Sequence, residues 1–72
     1  MKTTDEIVQL ASLGVGLIVD AKQKTTMDLM KIINAAFNSD GHVTLRNCDS
    51  KIMSDLRQLC LNNPKTVTVD LT

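Results

Sequence analysis

One short arrangement of apolar and polar positions returns three times along the chain: Glu6-Ile7-Val8-Gln9-Leu10-Ala11, Asp28-Leu29-Met30-Lys31-Ile32-Ile33 and Asp55-Leu56-Arg57-Gln58-Leu59-Cys60. Each copy runs acid, aliphatic, variable, polar or basic, aliphatic, then small or aliphatic. Apolar positions at i, i+3 and i+4 place one stripe on a helix, so each copy predicts an amphipathic helix. The expected starts agree: Thr3 with Glu6 three residues on is a capping box, and Thr25 with Asp28 is its acidic variant. Asp49 or Ser50 is the expected cap of the third helix. Acids in each first turn suit the helix dipole. The expected stops are Gly14, Asn38-Ser39-Asp40-Gly41 and Asn62-Asn63-Pro64.

A run of different character follows each helix: Val15-Gly16-Leu17-Ile18-Val19-Asp20, His42-Val43-Thr44-Leu45-Arg46-Asn47 and Thr66-Val67-Thr68-Val69-Asp70-Leu71. The last two alternate apolar with polar and are β-branched, the period of a half-buried strand. The predicted order is helix, strand, helix, strand, helix, strand, with a strand period of about 25 residues, within the range of solenoid repeats. Alternating strands and helices favour parallel pairing through right-handed crossovers. The expected fold is therefore α/β: three helix–strand repeats (about 3–21, 25–48 and 49–72) in one domain spanning 1–72. They form a three-stranded parallel sheet with all helices on one face, two-layered and solenoid-like.

Aligning the runs stacks Leu17 with Val43 and Val67, and Val19 with Leu45 and Val69. The expected core joins these ladders to Ile7, Leu10, Leu29, Ile32, Ile33, Leu56 and Leu59, with Met27, Met30 and Met53 as helix filler. Alternation assigns the opposite face without further choice. Gly16, His42 and Thr66 form one row; Ile18, Thr44 and Thr68 the next; Asp20, Arg46 and Asp70 the third, with a cation between two anions. No helix is left in the sequence to cover this face.

Composition narrows the function classes. The chain has 72 residues, eight Lys/Arg against eight Asp/Glu, 43% apolar residues, and Phe37 as its single aromatic. One small aliphatic core fits that length. Net neutrality weakens phosphate-backbone binding, and the lack of aromatics removes stacking platforms for single-stranded nucleic acid. Cys48 and Cys60, twelve apart, match neither a CxxC pair nor zinc-ligand spacing, and read as reduced thiols in a cytoplasmic chain. Asp5 and Glu6 stand where a secretory signal carries its cations, and the apolar run Ile7 to Val19 is too short to span a bilayer.

The stretch Val43-Thr44-Leu45-Arg46-Asn47-Cys48 resembles the strand core of a leucine-rich repeat, aliphatic-x-aliphatic-x-x-Asn/Cys. Val67-Thr68-Val69-Asp70-Leu71-Thr72 looks like a degenerate second copy, and Leu17-Ile18-Val19-Asp20-Ala21-Lys22 a weaker third. Asp40 departs from the family's leading aliphatic, and Lys22 stands where Asn or Cys belongs. The resemblance implies strand–helix stacking, protein contact through the polar strand face, and an inward Cys48 hydrogen-bonded to the loop backbone.

Site chemistry is sparse. His42 is the single histidine, which excludes a multi-histidine metal site within one chain. Ser39-Asp40-Gly41-His42 brings hydroxyl, carboxylate and imidazole close in sequence, yet Ser, Asp and Gly are ordinary turn formers ahead of a strand. Gly14-Val15-Gly16 lacks the third glycine and the strand-before-helix context of a dinucleotide site. No cofactor is implied. The leading expectation is a small non-catalytic protein-interaction module of a bacterial-type cytosol. Its binding residues are Asp20, His42, Thr44, Arg46, Thr66, Thr68 and Asp70, or else it binds through an open sheet edge. A homodimer through the edge of the third or the first strand is expected on the same grounds. Two alternatives differ in class: a nucleic-acid-associated regulator using Lys22, Lys24, Arg46 and Lys65, and an enzyme with His42 and Asp40 as its acid/base pair.

Overall fold

The three short runs do become strands, and they pair in the expected sense. The computed structural model describes residues 2–71. It places α1 at Thr4–Ala11, β1 at Gly16–Asp20, α2 at Thr26–Asn38, β2 at His42–Arg46, α3 at Met53–Leu61 and β3 at Val67–Val69. Short 3₁₀ turns at Ala21–Gln23 and Cys48–Ser50 follow β1 and β2. The sheet has order β1-β2-β3, and both pairings are parallel. Gly16 lies opposite His42, Leu17 opposite Val43, Val19 opposite Leu45, and Val43 and Leu45 opposite Val67 and Val69. The fold is α/β.

Helix entry follows local chemistry. The Thr3 hydroxyl accepts from the Glu6 N–H at 3.3 Å, while the Glu6 carboxylate accepts from the Thr3 N–H at 3.1 Å. The Thr25 hydroxyl accepts from the Asp28 N–H at 3.2 Å. α3 departs from expectation. Asp49 and Ser50 belong to the 3₁₀ turn, and the cap position falls on Ile52, which makes no side-chain capping bond.

The core lies between the helices and one face of the sheet. Val43, Leu45, Leu29, Ile32, Ala11, Ala21 and Ala36 are fully buried, with Ile7, Val19, Ile33, Cys48 and Leu59 nearly so. Leu17, Val67, Val69, Met30 and Leu56 pack against this cluster at its margins. Burying one such aliphatic side chain contributes roughly 1.5–3 kcal/mol. Three expected core residues lie outside it: Leu10 is 42% exposed, Met27 71% and Met53 69%. α1 packs chiefly against α2, so Ile7 and Ala11 meet the core and Leu10 turns to the flank. Met27 and Met53 sit in the first turns of α2 and α3, at the rim of the two-layer stack. Among the described residues no helix is long and apolar enough to cross a membrane.

Candidate functional site

β2 is the middle strand, so its outward side chains define the centre of the uncovered face. Thr44 lies between Ile18 and Thr68 in register. His42 reaches diagonally across to β3, its Nε2 2.7 Å from the Thr68 hydroxyl. At the far end, Arg46 Nε approaches Asp70 Oδ2 at 3.9 Å, with the two side chains 62% and 32% exposed. A pair so open to solvent contributes little stability.

Two expected positions need correction. Asp20 lies opposite Arg46 in register, but its carboxylate accepts from the Lys22 N–H at 2.9 Å and caps the following 3₁₀ turn. The expected anion–cation–anion row therefore reduces to the Arg46–Asp70 pair. Thr66 precedes β3, in a turn closed by its N–H donating to the Asn63 carbonyl at 3.0 Å. It is only 7% exposed, so it does not present its side chain to a partner as the strand pattern predicts. His42, Thr44, Arg46, Thr68 and Asp70 remain together on one face, with Asp20 at its margin.

The other chemical readings resolve into structural tasks. The Ser39 hydroxyl donates to the Ala11 carbonyl at 2.5 Å, tying the end of α2 to the end of α1. Asp40 takes a left-handed φ of 61° directly after α2, and His42 Nε2 meets Thr68 rather than Ser39 or Asp40. Of the four cations, Lys24 donates to the Lys2 carbonyl at 3.0 Å and Arg46 pairs with Asp70. Cys48 is buried, and its thiol donates to the Leu45 carbonyl at 3.4 Å. Burial pushes this thiol above its ordinary pKa, against a smaller opposing effect of the Asp70 backbone N–H. A buried thiol held protonated is a poor nucleophile.

A second surface lies along β1 and escapes a search for polar chemistry. A groove between α1 and β1 is lined by Lys2, Ile7, Leu10, Leu17, Ile18 and Val19. Ile18 is 71% exposed, and Leu13, 74% exposed, lines a neighbouring concavity that shares Lys2 and Leu10 with this groove. The signal was present in the sequence, since Leu17-Ile18-Val19 is apolar at both strand parities, whereas β2 and β3 alternate. Comparisons with models of protein families, with curated proteins and with solved structures give no match.

Proposed function

We propose that this chain is a small non-catalytic protein-interaction module whose partner docks on the open sheet face, with Thr44, Arg46 and Thr68 at the centre of contact. One observation carries the reading. Parallel sheets are normally covered on both faces, yet here the helices pack on one side, while Ile18, Arg46 and Thr68 stand exposed on the other. Hydroxyls, one guanidinium and one imidazole on a flat β surface suit a polar protein surface. Residence in the cytoplasm is part of the proposal, supported by Cys48 and Cys60 standing as free thiols.

The test is a triple variant, Thr44→Ala with Arg46→Ala and Thr68→Ala, compared with the parent chain as bait in lysate from the source cell. All three side chains lie outside the core, so the far-ultraviolet circular dichroism is expected to stay unchanged. Proteins retained specifically by the parent chain are expected to be lost from the variant. Equal retention by a folded triple variant refutes docking on this face.

A further inference from the structure

β1 is an outer strand, and its backbone polarity is set by one bond. The His42 N–H donates to the Val15 carbonyl at 3.3 Å. Backbone groups alternate sides along a strand, so Leu17 and Val19 turn their N–H and C=O groups toward β2. Those of Gly16, Ile18 and Asp20 turn toward the free edge. Natural proteins guard such edges with Lys, Pro, bulges or a covering element. β1 has neither Lys nor Pro, and the apolar groove beneath α1 runs alongside it.

We propose that β1 pairs antiparallel with β1 of a second copy across a two-fold axis at Ile18. The result is a continuous six-stranded sheet that withdraws Ile18, Leu10 and Leu13 of both copies from water. The register is self-complementary. With Ile18 opposite its own mate, Gly16 falls opposite the partner's Asp20, and every edge-facing residue of β1 meets an edge-facing residue. The one charge of the strand thus lies against a glycine, and no like charges are opposed. Net neutrality of the chain adds no long-range repulsion between copies.

A stable interface removes about 800 Å² from each partner, and the whole chain exposes 4656 Å² on a body measuring 29 × 25 × 20 Å. A five-residue ladder alone is too small for that. The groove, Leu10 of α1 and Leu13 in the turn after α1 extend the contact with apolar surface. The β3 edge is a poorer candidate. The Val43 N–H donates to the Thr66 carbonyl, and the Asp70 N–H donates to the Leu45 carbonyl, so within β3 only Val67 and Val69 turn outward. That edge is also introduced by Pro64-Lys65, two of the residue types that block pairing.

This pairing goes beyond docking on the open face and does not need it; it sets two such faces side by side. Sedimentation of the full chain between low and high micromolar concentration is expected to show a species of twice 7.9 kDa. Ile18→Lys places two ammonium groups across the axis at an exposed site. It is expected to abolish that species at concentrations where the parent chain is dimeric, with unchanged circular dichroism. Leu61→Lys, at a residue of α3 that is 73% exposed, is expected to leave the dimer intact. Facing residues of a hydrogen-bonded antiparallel pair have Cα atoms about 5.5 Å apart, within disulfide range. Ile18→Cys is therefore expected to cross-link under mild oxidation far faster than the parent chain with its native thiols. A parent chain that stays monomeric, a dimer that survives Ile18→Lys, or no added cross-linking through Ile18→Cys each overturns the pairing. None of these results bears on the triple variant of the open face, so the two proposals fail separately.

Discussion

At the residue scale, the loops at one end of the sheet depend on where glycine is and is not placed. Gly14 has φ +82°, and a Cβ there would lie 2.7 Å from the Ser39 carbonyl oxygen. Gly41 brings its backbone against Val15, where a Cβ would lie 2.8 Å from the carbonyl oxygen. Both glycines allow the α1–β1 and α2–β2 connections to touch backbone to backbone, and the Ser39 hydroxyl then joins them through Ala11. Asp40, between them in function, carries the left-handed residue that ends α2. The Gly41 N–H donates to the Ala36 carbonyl at 2.7 Å and the Asp40 N–H to the Phe37 carbonyl at 3.4 Å, the bond pattern of a Schellman stop. A side chain in that conformation costs roughly 1–2 kcal/mol, partly offset by its lower unfolded-state entropy relative to glycine. Asp40→Gly is therefore expected to stabilise the chain by about 0.5 kcal/mol. Gly14→Ala is expected to cost roughly 1–3 kcal/mol, since it meets both positive φ and a backbone collision. Thermal unfolding followed by circular dichroism checks the pair. A higher melting temperature for Gly14→Ala, or a lower one for Asp40→Gly, contradicts the loop geometry.

At the element scale, what was legible in the sequence and what was not have separate physical causes. Strand order, parallel sense and register were legible because β-branched alternation in His42–Arg46 and Thr66–Val69 fixes which side chains share a face. The entries of α1 and α2 were legible because Thr3 and Thr25 each stand three residues before an acid. The start of α3 was not, because its cap position holds Ile52, a residue with no capping group, while Asp49 and Ser50 upstream carry the usual chemistry. Leu10 was misplaced because helical spacing identifies a stripe but not how much of it a neighbouring element covers. The open face was largely legible, apart from Thr66, drawn into a turn, and Asp20, turned to its own backbone. The apolar edge of β1 left its signal in Leu17-Ile18-Val19, apolar at both strand parities; the groove beneath α1 that continues it needed the structure, since helical spacing does not show how α1 sits beside β1. These causes converge on one prediction. Asp55 already occupies the position three residues after Ile52, so Ile52→Ser recreates the arrangement of Thr25 with Asp28, in which the cap hydroxyl accepts from the N–H of the acid. Ile52 is 66% exposed and has extended cap geometry, so little packing is lost. The variant is expected to gain about 0.5–1 kcal/mol, or a few degrees in melting temperature for a domain of this size. No gain would show that the N-terminus of α3 is frayed or otherwise satisfied.

At the scale of the whole molecule, stability is concentrated in the middle of each layer. β2 is flanked by β1 and β3, and α2 packs against both α1 and α3. The fully buried aliphatics Leu29, Ile32, Val43 and Leu45 all belong to these two central elements. The outer elements bury less: α3 contributes Leu59 as its one buried residue, and β3 is three residues long. A domain of 72 residues has a total stability on the order of 4–11 kcal/mol. Removing a fully buried leucine side chain costs roughly 2–5 kcal/mol. Leu45→Ala is therefore expected to consume much of the margin, whereas Leu61→Ala, at a residue 73% exposed, is expected to change stability by less than about 0.5 kcal/mol. The same asymmetry sets the order of local opening. Native-state hydrogen exchange is expected to protect amides of β2 and the middle of α2 most strongly, with α3 and β3 opening at lower free energy. In the proposed dimer β1 ceases to be an edge, so the Ile18 amide joins the protected set at high protein concentration and leaves it on dilution. Protection of β3 above that of β2, or equal losses from Leu45→Ala and Leu61→Ala, would mean that the centre of the sheet is not where the fold is held.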